Sequence, residues 1–166
     1  MIASASNPLD GVTLRPRRDD DCDFLRALYA GTRTREMEVV PWSDDEKQAF
    51  LAMQFEAQTR HYDEFYSDAE FLIVETDDGP IGRLYLQRRN DEIRVVDIAL
   101  VTSARSRGIG GALMRQVLKE ARQRRVPCRI HVEADNPAMR LYRRLGFREV
   151  DENGVYRLME WNPGIK

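Results

Sequence analysis

Residues 105–111 read Arg-Ser-Arg-Gly-Ile-Gly-Gly and follow a β-rich run, Val95-Val96-Asp97-Ile98-Ala99-Leu100-Val101. Glycine at 108, 110 and 111 lets backbone N–H groups approach an anion with no Cβ in the way. Past them, Ile109, Leu113, Met114, Val117, Leu118 and Ala121 recur with helical period, so the glycines open a helix. A helix start carries partial positive charge, and Arg105 and Arg107 add whole charges beside Ser106. A strand feeding such a turn suits a diphosphate. Two familiar phosphate loops are excluded. The Gly-Lys-Ser/Thr of one is absent, and the Gly-x-Gly-x-x-Gly of the other would need glycine at 113, where Leu113 stands.

The elements that must position this turn are legible on both sides of it. Val12–Pro16 alternates like a short strand that stops at its proline. Asp20 or Asp21 can cap a helix carrying Phe24, Leu25, Leu28 and Tyr29. Ser43 with Glu46 forms a capping-box pattern for a second helix, whose stripe is Phe50, Leu51, Met53 and Phe55, before the polar-aromatic stretch His61–Tyr66. Strands are expected at Glu70–Thr76, Ile81–Gln87 and Ile93–Val101, joined by Asp77-Asp78-Gly79-Pro80 and Asn90-Asp91 turns as an antiparallel meander. After the glycine-opened helix come a strand at Cys128–Val132, a helix begun by Asn136-Pro137 and ended by Gly146, and a hairpin of Phe147–Val150 with Val155–Trp161. The order β-α-α-β-β-β-α-β-α-β-β is an α/β mixture with a mostly antiparallel sheet and one parallel step around the Gly108 helix.

Length and composition fit one domain over residues 12–166 behind a disordered tail at 1–11, since 166 residues suffice for a core. No apolar run approaches the roughly 20 residues of a membrane span. The start of the chain lacks the pattern of a secretory signal, so the expected location is the cytoplasm. Cys22 and Cys128 have no metal-ligand spacing, and no metal is expected. Net charge is −2, but residues 105–148 hold 12 Lys+Arg against 3 Asp+Glu, whereas residues 1–104 hold 12 against 21. A polyanionic ligand on the basic half accounts for that division, as does a solvated arginine-rich helix face. Nucleic acid is disfavoured by the acidic half and by the lack of aromatics interleaved with the arginines.

A second motif lies downstream, Asn136-Pro137-Ala138-Met139-Arg140-Leu141-Tyr142-Arg143-Arg144-Leu145-Gly146-Phe147. Arg105-x-x-Gly108-x-Gly110 after a β-rich strand resembles the acetyl-CoA signature of the GNAT acetyltransferase superfamily. The downstream segment is similar to that family's Asn…Ala-x-x-Leu-Tyr-x-x-x-Gly-Phe. The resemblance spans about residues 12–161, with its specific motifs in 93–147. It implies a mixed sheet of six to seven strands, flanked by about four helices, with a splayed central strand pair. It also implies that acetyl-CoA lies in the splay, its pantetheine pairing with the backbone of Ile98, Ala99 and Leu100. By the same resemblance Asn136 contacts that arm or holds the site, and Tyr142 protonates the leaving thiolate. Spacing alone also allows Tyr142 to be a packed helix tyrosine. Asn136 and Ala138 are one residue apart, where many members have two, which shifts Asn136 within the motif.

Acyl transfer from a thioester needs a neutral amine, so a base is required. His131 stands near where some members place a glutamate, and Glu133 shares its strand face by period-two alternation. Asp97 is a further candidate acting through water, and His131 is equally a sheet histidine. The resemblance places acceptor recognition on the first two helices, where Glu36, Glu38, Trp42, Asp44, Asp45, Tyr62 and Tyr66 suit a cationic amine. The expected function is transfer of acetyl from acetyl-CoA to a primary amine of a small molecule or peptide. A catalytically silent acyl-CoA-binding module is the alternative. The exposed final hairpin would suit a homodimer.

Overall fold

The chain runs β1 (Thr13–Pro16), α1 (Cys22–Thr32), α2 (Thr34–Glu38), α3 (Asp44–Phe65), β2 (Glu70–Thr76), β3 (Gly79–Arg88), β4 (Ile93–Leu100), α4 (Ile109–Arg124), β5 (Cys128–Glu133), α5 (Met139–Arg144), β6 (Arg148–Asn153) and β7 (Tyr156–Trp161). The computed structural model describes residues 7–164. Seven strands form one sheet in the order β1-β2-β3-β4-β5-β7-β6. Every neighbouring pair is antiparallel except β4 and β5, which are parallel around α4 as a crossover helix requires.

Several details differ from the sequence expectations, among them β6, which runs on through Asn153 where a turn after Val150 is expected. Among the described residues there are five helices, because Thr34–Glu38 adds a short α2. Asp21 does precede α1, but its side chain makes no cap bond. Its carboxylate instead accepts from both guanidinium nitrogens of Arg15, at 2.7 and 2.8 Å, and from the Arg18 N–H at 2.7 Å. Helix α5 starts at Met139 rather than Pro137, because the Asn136 side chain accepts the Ala138 N–H at 2.8 Å and holds a turn there. On α3 only Phe55 of the expected stripe is buried, and Met53 is exposed. The Ser43 cap is present, with Oγ accepting the Glu46 N–H at 3.2 Å. Of the expected tail, residues 1–6 lie outside the described residues. Asn7–Gly11 turns on itself and puts Leu9 against the core.

Two apolar clusters cover the two faces of the sheet. On one, Ile109, Leu113, Met114, Val117 and Ala121 of α4 pack over Leu84, Leu86, Val95, Ile130 and Met159. On the other, Leu25, Leu28 and Tyr29 of α1 meet Phe55 of α3 and Ile73 of β2. Burial of these side chains drives the layering, at about 1.5–3 kcal/mol for each large one. Cys128 is fully buried, which pushes its thiol up to about 12 and leaves it inert as a nucleophile.

The parallel ladder between β4 and β5 is short. Ile93, Arg94 and Val95 pair with Cys128, Arg129 and Ile130, and the pairing then stops. At that point β4 bulges, since Tyr85 faces Asp97 while Leu86 faces Val95, leaving Val96 as an extra residue. A bulge bends and twists its strand, so β4 veers from β5 and a gap opens between them. The closed end is fastened by the buried carboxylate of Glu92, which accepts from Arg94 on β4 at 3.3 Å and Arg129 on β5 at 2.9 Å. Behind the gap, Gly82 of β3 is buried against β4. A Cβ there would run into the Ala99 carbonyl and lie 2.7 Å from Leu100 Cδ2.

Candidate active site

The gap runs from Val96 to Leu100 along β4 and leads into a 3-10 turn at Thr102–Ala104 and then the loop 105–108. Two of the loop residues are left-handed, Ser106 at φ 61° and Gly108 at φ 80°. Glycine takes that conformation freely, which explains its presence at the N-cap of α4. No side chain caps this helix, and the first intrahelical bond of the loop is Ala112 N–H to the Gly108 carbonyl, 3.0 Å. The N–H groups of Ile109, Gly110 and Gly111 are thus without helical partners, as at any helix start, and among the described residues nothing replaces them. Arg105 is fastened by Nε donating to the Leu100 carbonyl at 3.0 Å, which leaves its terminal nitrogens free. Arg107 is exposed. These groups fit a diphosphate.

The loop leaves little room for a side chain at its tightest glycine. The Cβ position at Gly108 lies 3.3 Å from Pro8 Cγ. Gly108→Ala is expected to combine that contact with left-handed strain of about 1–2 kcal/mol and so weaken coenzyme A binding roughly tenfold. Titration calorimetry of the two proteins measures it, and equal affinities would show that the loop is not the anion site.

Tyr142, on α5, is 4% exposed and packs edge-on against Phe147, ring centroids 5.8 Å apart. Among the described residues its hydroxyl makes no hydrogen bond. Burial pushes the phenol above its ordinary range, and the charge of Asp97 adds to that. Tyr142 therefore keeps its proton at any working pH and feels the carboxylate of β4 across the gap. Helix α5 ends in a left-handed Gly146, with Phe147 N–H returning to the Tyr142 carbonyl at 3.0 Å, which fixes the ring's position.

Asp97 has two donors, the Tyr62 hydroxyl of α3 at 3.2 Å and the guanidinium of Arg83 on β3. Arg83 is buried, donates to Gln58 Oε1 at 2.9 Å, and lies 5.0 Å from the centre of the Tyr85 ring. Its Nε is buried without a partner. Burial and Asp97 both push the Tyr62 phenol up, so it remains a donor. Nothing in the residue spacing joins Asp97, Arg83 and Tyr62. Alternation puts Arg83 on the face of Tyr85 within an apolar strand, and a charge there demands a partner.

The two candidate bases lie on one face of β5, opposite the buried Cys128, Ile130 and Val132. Each already has a cation. His131 Nδ1 is 2.9 Å from Arg94 Nη1, which assigns it as acceptor and the proton to Nε2. Partial burial lowers the affinity of His131 for a second proton, and Arg94 lowers it further. Glu133 accepts from Arg33, the residue between α1 and α2, at 3.0 Å. Asn136, after β5, is exposed with its Oδ1 committed to Ala138. Of the expected acceptor residues, Tyr62 reaches the site through Asp97, Glu36 pairs with Arg33 at 3.0 Å, and Trp42 packs on Phe50. Among the described residues no cluster of His, Cys, Asp and Glu suits a metal, and no helix is long and apolar enough to cross a membrane.

Residues 27–147 match the acetyltransferase (GNAT) family. Several solved structures share the fold. The PaiA N-acetyltransferase of Thermoplasma acidophilum, in complex with coenzyme A, has a TM-score of 0.68 and 18% identity, covering 91% of this chain and 98% of its own. The spermidine N-acetyltransferase of Vibrio cholerae, with CoA and spermine, has a TM-score of 0.59 and 18% identity, covering 91% and 94%. The ribosomal-protein-S18-alanine N-acetyltransferase of Escherichia coli has a TM-score of 0.57 and 20% identity, covering 93% and 96%. No curated protein matches the sequence.

Proposed function

The chain belongs to the acetyltransferase (GNAT) family, and on that footing we propose that it moves an acetyl group from acetyl-CoA directly to a primary amine. The observation that carries this reading is the gap beyond Val95 and Ile130, which opens beside an uncapped, arginine-flanked helix start. Loop residues 105–111 would hold the donor's diphosphate, and the free edge of β4 at Ile98–Leu100 would hold its pantetheine arm, with Asn136 alongside. The donor supplies a thioester carbonyl for attack. Solved relatives named for spermidine and for a ribosomal-protein alanine have very different acceptors, so a small amine and a peptide both suit the reading. The enzyme acts in the cytoplasm in this account, and its exposed β6–β7 hairpin makes a homodimer, which sedimentation would detect.

In the transfer, Tyr142 donates its phenolic proton to the departing thiolate as negative charge develops on the sulfur. His131 or Glu133 takes the proton of the incoming ammonium, directly or through a water. A thiol-release assay with acetyl-CoA against a panel of amines tests the function, and no release with any of them would end it.

The pH profile separates the bases. Because His131 binds its second proton more weakly than an ordinary imidazole, it is neutral at neutral pH, and it accepts a proton at Nδ1 when Arg94 gives up that contact. The rate should fall on acidification through a midpoint below the usual imidazole value, and His131→Ala should abolish that limb. Glu133→Gln should leave it in place. An unchanged profile in His131→Ala assigns the proton to another group.

A further inference from the structure

A cavity of about 510 Å³ lies where α2, the turn after β5, and α5 meet. Its lining includes Arg35, Asn136, Met139, Arg140 and Arg143, with Asp135 as its one carboxylate. It is an open depression rather than an enclosed pocket, so its charge is what marks it. Many arginines of the acidic half are matched to carboxylates, although among the described residues Arg18 and Arg60 are not. Arg15 holds Asp21, Arg17 Asp63, Arg33 Glu133, Arg83 Asp97 and Arg88 Glu70. Among the described residues Arg35, Arg140 and Arg143 have no such partner. The nearest strand carboxylate, Glu133, is already committed to Arg33 at 3.0 Å. Three guanidiniums thus face one carboxylate across a concave surface.

This cavity is separate from the diphosphate loop. Leu141 of α5 lies against α4, 3.4 Å from the Cβ position of Gly111. Successive helical residues turn by about 100°, so Met139 and Arg143 point about 160° away from Leu141, and Arg140 about 100° away. Arg140 and Arg143 therefore serve the α2 side of α5, across the helix from the donor's diphosphate. Guanidiniums recognise carboxylate and phosphate oxygens through paired, charge-assisted hydrogen bonds.

We propose that this cavity binds an anionic group of the acceptor, so that the substrate is a small amine bearing a carboxylate or phosphate. The inference rests on the acetyl-transfer reading and gives that reading its substrate class. The cation expected of the acceptor is then confined to its amine, at the gap, while its anion sits among the arginines.

Matched acceptors test it, namely amino acids against their amides and phosphoethanolamine against ethanolamine, each assayed for thiol release with acetyl-CoA. Anionic members should have kcat/KM about tenfold or more above their neutral partners. Arg140→Ala and Arg143→Ala should erase that preference by raising KM with kcat held. Calorimetric affinity for coenzyme A should be unchanged in both variants. Neutral acceptors used as well as anionic ones would overturn the assignment. So would variants that weaken binding of coenzyme A but not of 3′-dephospho-coenzyme A, since the cofactor's ribose phosphate would then be the anion. Turnover confined to neutral amines sinks the substrate class alone, whereas turnover of no amine sinks the acetyl-transfer reading with it.

Discussion

Tyr142→Phe is expected to lower kcat by about 10²- to 10⁴-fold, the usual worth of a positioned proton donor, with affinity for coenzyme A retained. The ring is buried against Phe147 and the core of α4, and phenylalanine keeps that packing. The hydroxyl makes no hydrogen bond among the described residues, so removing it strands no buried partner and costs little stability. A catalytic loss with an unchanged melting temperature is therefore the signature of the general acid. Single-turnover thiol release in the two proteins measures it. Turnover equal to the parent would take Tyr142 out of the chemistry, and coenzyme A binding with no turnover in either protein would favour the silent binding module.

Asp97→Asn is expected to act on the fold as much as on the reaction. Arg83 is buried, its Nε already has no partner, and the Asp97 carboxylate is its one ionic contact among the described residues. Breaking a buried pair from one side leaves an uncompensated charge and costs about 3–5 kcal/mol. For a domain of this size that is a fall in melting temperature of about 6–20 °C. Tyr62 also loses the charge on its acceptor. Low activity in this variant says nothing about catalysis by itself. The double variant Arg83→Met with Asp97→Leu removes both charges and should recover most of the stability. If it is stable and still active, Asp97 is structural. If it is stable and inactive, Asp97 takes part in the reaction. A single variant that melts within about 2 °C of the parent would show that solvent already screens the pair.

Most of the sheet could be read from the chain because its strands announce themselves locally. Glu70–Thr76 is an unbroken β-rich run ended by Asp77-Asp78-Gly79, and β2 has those bounds. The loop 105–111 was equally visible, since glycines at a strand-to-helix turn have a conformational cause that needs no tertiary context. What was hidden either lacked a periodic signal or depended on which side chain claims which group. Asp21 looked like a helix cap, but Arg15 lies six residues back and claims its oxygens. Thr34–Glu38 has no apolar stripe to mark it as helix. Pro137 suggested a helix start, yet the Asn136 side chain spends the first turn on Ala138. The bulge at Val96 decides which face Asp97 and Ile98 occupy, and a one-residue slip of that kind leaves no periodic trace. Nothing local could therefore join Asp97 to Arg83 and Tyr62.

Gly82 lies behind the gap between β4 and β5, yet it sets how wide that gap can be. With only hydrogen at that position, β3 draws the end of β4 back toward itself. Even a methyl group would have to displace the Ala99 carbonyl and Leu100 forward, toward β5, narrowing the slot from behind. Tolerance to substitution should accordingly be lowest at a buried position whose only contribution is to stay out of the way.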